Sequence, residues 1–168
     1  FPVLTKEHHV YALDLRGHGG SGRLSDRYHL GDYAGDVRAF LDLQVREPAI
    51  LYGHSLGAQV AMAAAVDAPE KVRALVLGDP PYYFHNLKTV DSVWYEPFQE
   101  MHRLLSTHHS AAELDEYMAE TYPKMDAQRR KARAETLSHV DPDAIATIME
   151  ERLFEGYDPA VLPRGIRC

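Results

Sequence analysis

Hydrophobic and polar positions divide the chain into two textures. In the first half, short apolar runs alternate with helical spacings. His9-Val10-Tyr11-Ala12-Leu13-Asp14 combines β-branched and aromatic residues and then turns polar, which predicts a strand over 9–14. Leu30, Tyr33, Ala34, Val37, Phe40 and Leu41 recur at three- and four-residue intervals, the apolar face of a helix. Asp32, Asp36, Arg38 and Asp42 fall largely on its other face and are expected to be solvated. Glu47-Pro48 closes the connection, and the apolar run 49–52 predicts a buried strand. Residues 56–66 are apolar nearly all round, as in a buried helix, and Asp67-Ala68-Pro69-Glu70-Lys71 breaks them. A second buried strand is predicted over 72–77, ending in Gly78-Asp79-Pro80-Pro81. The order strand, helix, strand, helix, strand predicts right-handed crossovers and a mostly parallel sheet. Ligands in such sheets sit at the carboxyl ends of the strands. Asp14, Ser55 and Asp79 all lie at or just past such ends.

From Tyr82 onward only helical spacings remain. Residues 94–105 place Phe98, Met101, Leu104 and Leu105 on one face. Ser110-Ala111-Ala112-Glu113 is a capping box opening a helix through Tyr122. Pro123 separates it from a basic helical run over 125–137. Asp141-Pro142 supplies an N-cap followed by proline at the first helical position, predicting a helix through about Phe154. These amphipathic helices read as an insertion over the sheet edge. The expected division is core over 1–81, helical cap over 82–160, and the start of another core strand over 161–168. The aromatics of Tyr82-Tyr83-Phe84 and Trp94-Tyr95 could line an apolar pocket or pack the cap on the sheet.

Composition narrows the function classes. The chain has 168 residues, 45% hydrophobic and 26% charged, as in one soluble domain or a large part of one. A net charge of −7 argues against nucleic acid, which asks for a basic face. The sole cysteine is Cys168, so no internal disulfide can form. No apolar run reaches membrane-spanning length and no signal-peptide pattern opens the chain, so a cytoplasmic setting without membrane contact is expected. The absence of an initiator Met and the closing Leu162-Pro163-Arg164-Gly165-Ile166-Arg167-Cys168 suggest a fragment of a longer protein.

The candidate chemistry centres on Gly53-His54-Ser55-Leu56-Gly57, a G-x-S-x-G between a predicted strand and a predicted helix. A serine hydroxyl is a weak nucleophile and must be presented to a base and a substrate. A tight strand-to-helix turn puts Ser55 at its tip and forces strained backbone there. It also brings residues two positions either side together, a steric reason for Gly53 and Gly57. The free N–H groups of the following helix point at the tip, so the Leu56 N–H is a candidate oxyanion donor. The alternative is a glycine-flanked turn with Ser55 as N-cap. His54, one position before the tip, points away from it and is expected to be a packed structural histidine.

A second motif is a decoy. Gly17, Gly19 and Gly22 fit G-x-G-x-x-G, but Gly22 leads into Arg23-Leu24-Ser25-Asp26-Arg27-Tyr28 rather than directly into a helix. Nucleotide binding is not expected. The better reading is a sharp turn tied together by Asp14, Arg16 and His18. His108-His109 lacks further ligands at a convincing spacing, and no metal site is expected.

Asp14-Leu15-Arg16-Gly17-His18-Gly19-Gly20-Ser21 resembles the D-x-R-G-H-G-x-S loop of α/β-hydrolases, and Gly53-His54-Ser55-Leu56-Gly57 resembles their G-H-S-L-G elbow. The likeness is specific over 9–81 and architectural afterwards. It implies an α/β-hydrolase fold with a helical cap, and a serine hydrolase without cofactor acting on an ester, lactone or related small carbonyl substrate. Ser55 would attack the carbonyl and pass its proton to a histidine held by a carboxylate, with Leu56 N–H holding the oxyanion. The family order places acid and histidine after the cap and the second oxyanion donor on an earlier loop, outside this chain. Taken literally, the chain alone is expected to be inactive. Some family members carry the acid where Asp79 stands, although an aspartate there is often structural. Cofactor-free haloperoxidase or perhydrolase chemistry, carbon–carbon bond hydrolysis, and a non-catalytic binding protein are the rival readings. Oligomeric state is left open.

Overall fold

A computed structural model describes residues 2–81 and 88–168. Helix α1, Leu30–Phe40, forms where the apolar spacing predicts it, and buries Leu30, Tyr33, Ala34 and Val37. It is opened by a capping box between His29 and Asp32 and runs into one π-helical turn, Leu41–Val45. Strand β1, Ala49–His54, leads through Ser55 into helix α2, Leu56–Asp67. Strand β2, Val72–Gly78, pairs with β1 in parallel, with Tyr52 opposite Val76 and His54 opposite Gly78. Because α2 is largely alanine along its middle, it lies close on this sheet, with Ala58 through Ala65 buried.

The predicted strand over 9–14 does not form. Among the described residues the sheet has two strands, and 9–14 finds no ladder partner there. A strand owes its regularity to cross-strand hydrogen bonds, so apolar alternation without a partner leaves extended, exposed chain. Tyr11 stacks on the His9 ring and meets Phe40 edge-on instead.

The second half is helical as expected: α3, Tyr95–Thr107; α4, Ala111–Thr121; α5, Ala127–Ser138; α6, Pro142–Met149. The Ser110–Glu113 capping box is made in both directions, with the Ser110 hydroxyl accepting from the Glu113 N–H at 3.2 Å. Leu104, Leu114, Met118 and Ala134 form a small cluster of their own. Helix α6 and the chain after it join the larger core instead: Ala144, Leu153 and Leu162 pack among Tyr28, Leu30, Val60 and Met62.

Helix α6 stops five residues before the predicted end near Phe154. Glu151 adopts φ +61°, the Arg152 N–H donates to the Thr147 carbonyl and the Glu151 N–H to the Ile148 carbonyl. That is a Schellman stop with glutamate where glycine is usual, so the sequence carries no sign of it. Residues 161–168 were expected to start a strand; Leu162–Gly165 is a 3-10 turn, with Leu162 buried under α2. Trp94 is half-exposed rather than packed, and the aromatic run 82–84 lies outside the described residues.

Candidate functional site

The elbow sits at the carboxyl end of β1. Ser55 has φ +52° and ψ −118°, a conformation that a side chain with a Cβ adopts at a cost. Its N–H donates to the Gly78 carbonyl at 2.9 Å, which ties the tip to the end of β2. Its carbonyl accepts from the Ala58 N–H at 3.0 Å and begins α2. The side chain makes no capping bond and is exposed. The N–H groups of Leu56 and Gly57 come before the first bond of α2, which Ala58 makes, and so have no acceptor within the helix. The N-cap alternative is therefore not what the hydroxyl does.

The two elbow glycines are unequal. A Cβ on Gly53 would lie 2.1 Å from the Gly57 carbonyl oxygen and 2.7 Å from the Ala58 nitrogen, an impossible approach. A Cβ on Gly57 would meet nothing within 4 Å. The expected steric reason thus holds for Gly53 and is corrected for Gly57, because only the Gly53 side of the turn faces backbone. His54 is exposed rather than packed; its ring lies against Gly78 on the uncovered side of the sheet. The same face exposes Ile50, Tyr52 and Val76. Asp79 follows Gly78 at φ +44° and is exposed. No hydrogen bond joins the Ser55 hydroxyl to a histidine among the described residues.

The glycine loop is built as the non-nucleotide reading expects. The Gly20 N–H donates to the Asp14 carboxylate at 2.9 Å, Ser21 Oγ donates to the Asp14 carbonyl at 2.7 Å, and His18 Nδ1 lies 2.9 Å from the Arg16 carbonyl. Gly19, at φ +55°, lets the Asp14 carboxylate sit where a Cβ would be, 2.3 Å away. The loop is anchored outward by Arg16, whose guanidinium holds Asp36 through two bonds of 2.7 Å, lies 3.4 Å from Asp32 and donates to the Arg27 carbonyl at 2.9 Å. Asp32 and Asp36 were expected to be merely solvated. They are instead the counter-charges of the loop, a pairing across twenty residues that helical periodicity does not encode.

Sequence reasoning missed Tyr28. It has no periodic neighbours, yet it is fully buried and donates to Asp141 Oδ2 at 2.6 Å. Burial first, and then this hydrogen bond, push its hydroxyl up to about 12. Elsewhere, an open groove of about 440 Å³ runs along α3, lined by Glu96, Gln99, Glu100, His102, Arg103 and Met149, none of them an elbow residue. Hydrogen bonds from Arg103 and Tyr117 hold the Glu100 carboxyl down to about 2. Among the described residues no group of three or more His, Cys, Asp or Glu is arranged to hold a metal ion. None of their helices is long and apolar enough to cross a membrane.

A strand, a serine on strained backbone and a helix against a parallel neighbour define an α/β fold of the elbow class. The chain belongs to the alpha/beta hydrolase fold family, whose sequence profile matches residues 1–146. Among its relatives, the 2-(acetamidomethylene)succinate hydrolase of Mesorhizobium japonicum is 31% identical over 132 residues, which are 74% of this chain and 43% of that protein. The 2-hydroxymuconate semialdehyde hydrolase of Pseudomonas sp. is 40% identical over 108 residues, 62% of this chain and 38% of that protein. The crystal structure of E-2-(acetamidomethylene)succinate hydrolase matches with a TM-score of 0.65 at 25% identity, covering 98% of this chain and 63% of that one. The chain spans about two-fifths of the length of these curated relatives.

Proposed function

We propose that this chain carries the nucleophile of a serine hydrolase acting on an ester, lactone or related small carbonyl substrate. The observation that carries the reading is the backbone of Ser55: exposed, at φ +52°, between a parallel strand and the free N-terminus of α2. Strain of that kind persists only where the surroundings impose it, and here Gly53 and the bond to Gly78 do so. In the proposed mechanism Ser55 Oγ attacks the carbonyl carbon while a histidine takes its proton. The oxyanion forms beside the Leu56 N–H and collapses as the carbon–oxygen bond to the alcohol breaks, with the histidine giving its proton to the departing oxygen. A water deprotonated by the same histidine then attacks the acyl carbon, releases the acid and restores the Ser55 hydroxyl. Histidine and carboxylate are assigned, on the family's order, to the part of the protein that follows the helical region. The division into core over 1–81, cap over 82–160 and returning core over 161–168 is part of the same proposal. The named hydrolases among the relatives support hydrolysis, and the reaction needs no cofactor.

The test is a fluorophosphonate probe, which bonds covalently to an activated serine, followed by mass spectrometry of the full-length protein. Labelling at Ser55, with ester turnover falling by several orders of magnitude in Ser55→Ala, is the expected result. Turnover retained in Ser55→Ala would overturn it.

A further inference from the structure

The only buried carboxylate facing a buried phenol among the described residues is Asp141 with Tyr28, and each side-chain oxygen of this pair is hydrogen-bonded. Asp141 stands at the junction of α5 and α6. Its Oδ2 accepts from the Tyr28 hydroxyl at 2.6 Å, its Oδ1 accepts from the Asp143 N–H at 3.0 Å, and its own N–H donates to the Gly17 carbonyl at 2.7 Å. The Tyr28 oxygen in turn accepts from the Leu24 N–H at 3.1 Å. Beside it, Arg23 donates to the Ser138 carbonyl at 3.2 Å. Gly17 is itself fitted to the phenol: at φ +71° it has no Cβ, and one placed there would lie 2.5 Å from the Tyr28 ring. Three separated pieces of chain, the glycine loop, the turn before α1 and the α5–α6 junction, therefore meet at one phenol–carboxylate pair.

We infer that Tyr28 and Asp141 are positioning residues: a latch that fixes the helical region against the glycine loop and thereby sets the substrate space over Ser55. The inference rests on the reading of Ser55 as nucleophile and of the helical region as its cap. The physical argument is one of shared loss. Among the described residues, the hydrogen bonds that tie the α5–α6 junction to residues 14–23 are those of the Asp141 N–H to Gly17 and of Arg23 to Ser138. Removing the phenol oxygen leaves a buried carboxylate oxygen and the Leu24 N–H without partners at once. The junction, still held by the Asp141 N–H, Arg23 and the packing of Ala144, then opens more often, while the elbow, held by Gly53 and Gly78, keeps its place. Substrate binding should suffer and the chemical step should not.

The test compares Tyr28→Phe, Asp141→Asn and the double variant in the full-length protein. Amide exchange at Leu24 and Asp141 is read first. Loss of a hydrogen bond to a buried charged group should accelerate it about tenfold or more in Tyr28→Phe. The two single changes should also be non-additive, since they remove one interaction. Ester kinetics are read second: KM should rise by about tenfold with kcat within about threefold, the signature of altered binding rather than chemistry. Unchanged exchange, or strictly additive effects, would overturn the latch. Accelerated exchange with KM unmoved would overturn the positioning role and leave a structural tie. Should Tyr28→Phe fail to fold, Asp141→Asn carries the same comparison: its single amide oxygen can keep the cap to the Asp143 N–H, and its NH2 then replaces the acceptor of the Tyr28 hydroxyl. If the wild-type protein hydrolyses no ester, the nucleophile reading is what fails, and the exchange data alone decide the latch.

Discussion

Gly53 and Gly57 face each other across the elbow so closely that only one of them has to be glycine. A Cβ on Gly53 would strike the Gly57 carbonyl at 2.1 Å, whereas a Cβ on Gly57 would meet nothing within 4 Å. Gly53→Ala must push β1 and α2 apart or unwind the turn, and is expected to cost about 3 kcal/mol. Gly57→Ala adds a methyl to a helical position in open space and is expected to gain about 0.5 kcal/mol from backbone entropy. Urea unfolding of the two variants checks the contrast. Equal destabilisation would mean that the close approach described for Gly53 is not what makes the turn.

The Arg16 network yields a second expectation. Its guanidinium makes a forked pair of bonds to Asp36 and a third to the Arg27 carbonyl. A lysine ammonium supplies charge but not the fork. Asp36 is half-exposed, which weakens that partner, while Asp32 is mostly covered. Arg16→Lys is therefore expected to lose about 1–2 kcal/mol, nearly as much as Arg16→Ala. Thermal melts of both variants at two salt concentrations decide it: a fully rescued lysine variant would show that net charge, not geometry, holds the loop.

How much of this was legible in the sequence depends on how local each cause is. Helices α1 and α2 and strands β1 and β2 follow from periodicity and from breakers such as Pro48 and Pro69, all within a few residues. The capping box at Ser110 is equally local and was readable. The strand over 9–14 failed because a strand needs a partner, and alternation along one segment says nothing about what lies beside it. The early end of α6 failed because Glu151 fills a left-handed position that glycine usually signals. Within the site, Ser55 and Gly53 were legible as a motif. Tyr28, Asp36 and Asp141 were not, because their partners lie 113 and 20 residues away.

Tyr28 gives a dependence on pH with a definite sign. Its hydroxyl is raised from the usual 10 to about 12, by burial and then by Asp141. A group whose folded value is raised contributes stability that is fully present below about pH 10 and is lost as pH climbs toward 12, because the unfolded chain ionises first. The contribution is of order 2 kcal/mol. Unfolding followed between pH 9 and 12 should show this loss in the wild type and a smaller one in Tyr28→Phe. Asp141→Ala removes both the acceptor and its charge, so the tyrosinate absorbance of Tyr28 should appear at lower pH. No difference between wild type and Tyr28→Phe in that window would contradict the buried bond.

Ser55 itself joins stability to chemistry. Its φ of +52° with ψ of −118° suits glycine, and its side chain makes no capping bond that would compensate. A non-glycine residue held there costs on the order of 1–3 kcal/mol. Ser55→Gly removes the Cβ and the strain, and the flexibility it adds to the unfolded chain offsets part of the gain. Ser55→Ala keeps the Cβ and so keeps the strain. The glycine variant is expected to unfold at higher urea than the alanine variant, by about 1 kcal/mol, although both lack the hydroxyl and both should be inactive. Alanine more stable than glycine would indicate that the backbone at the tip relaxes once the hydroxyl is gone. Glycine more stable than both alanine and the wild type would mean that the serine is kept at the tip against the interest of the fold, as a residue retained for its reaction is.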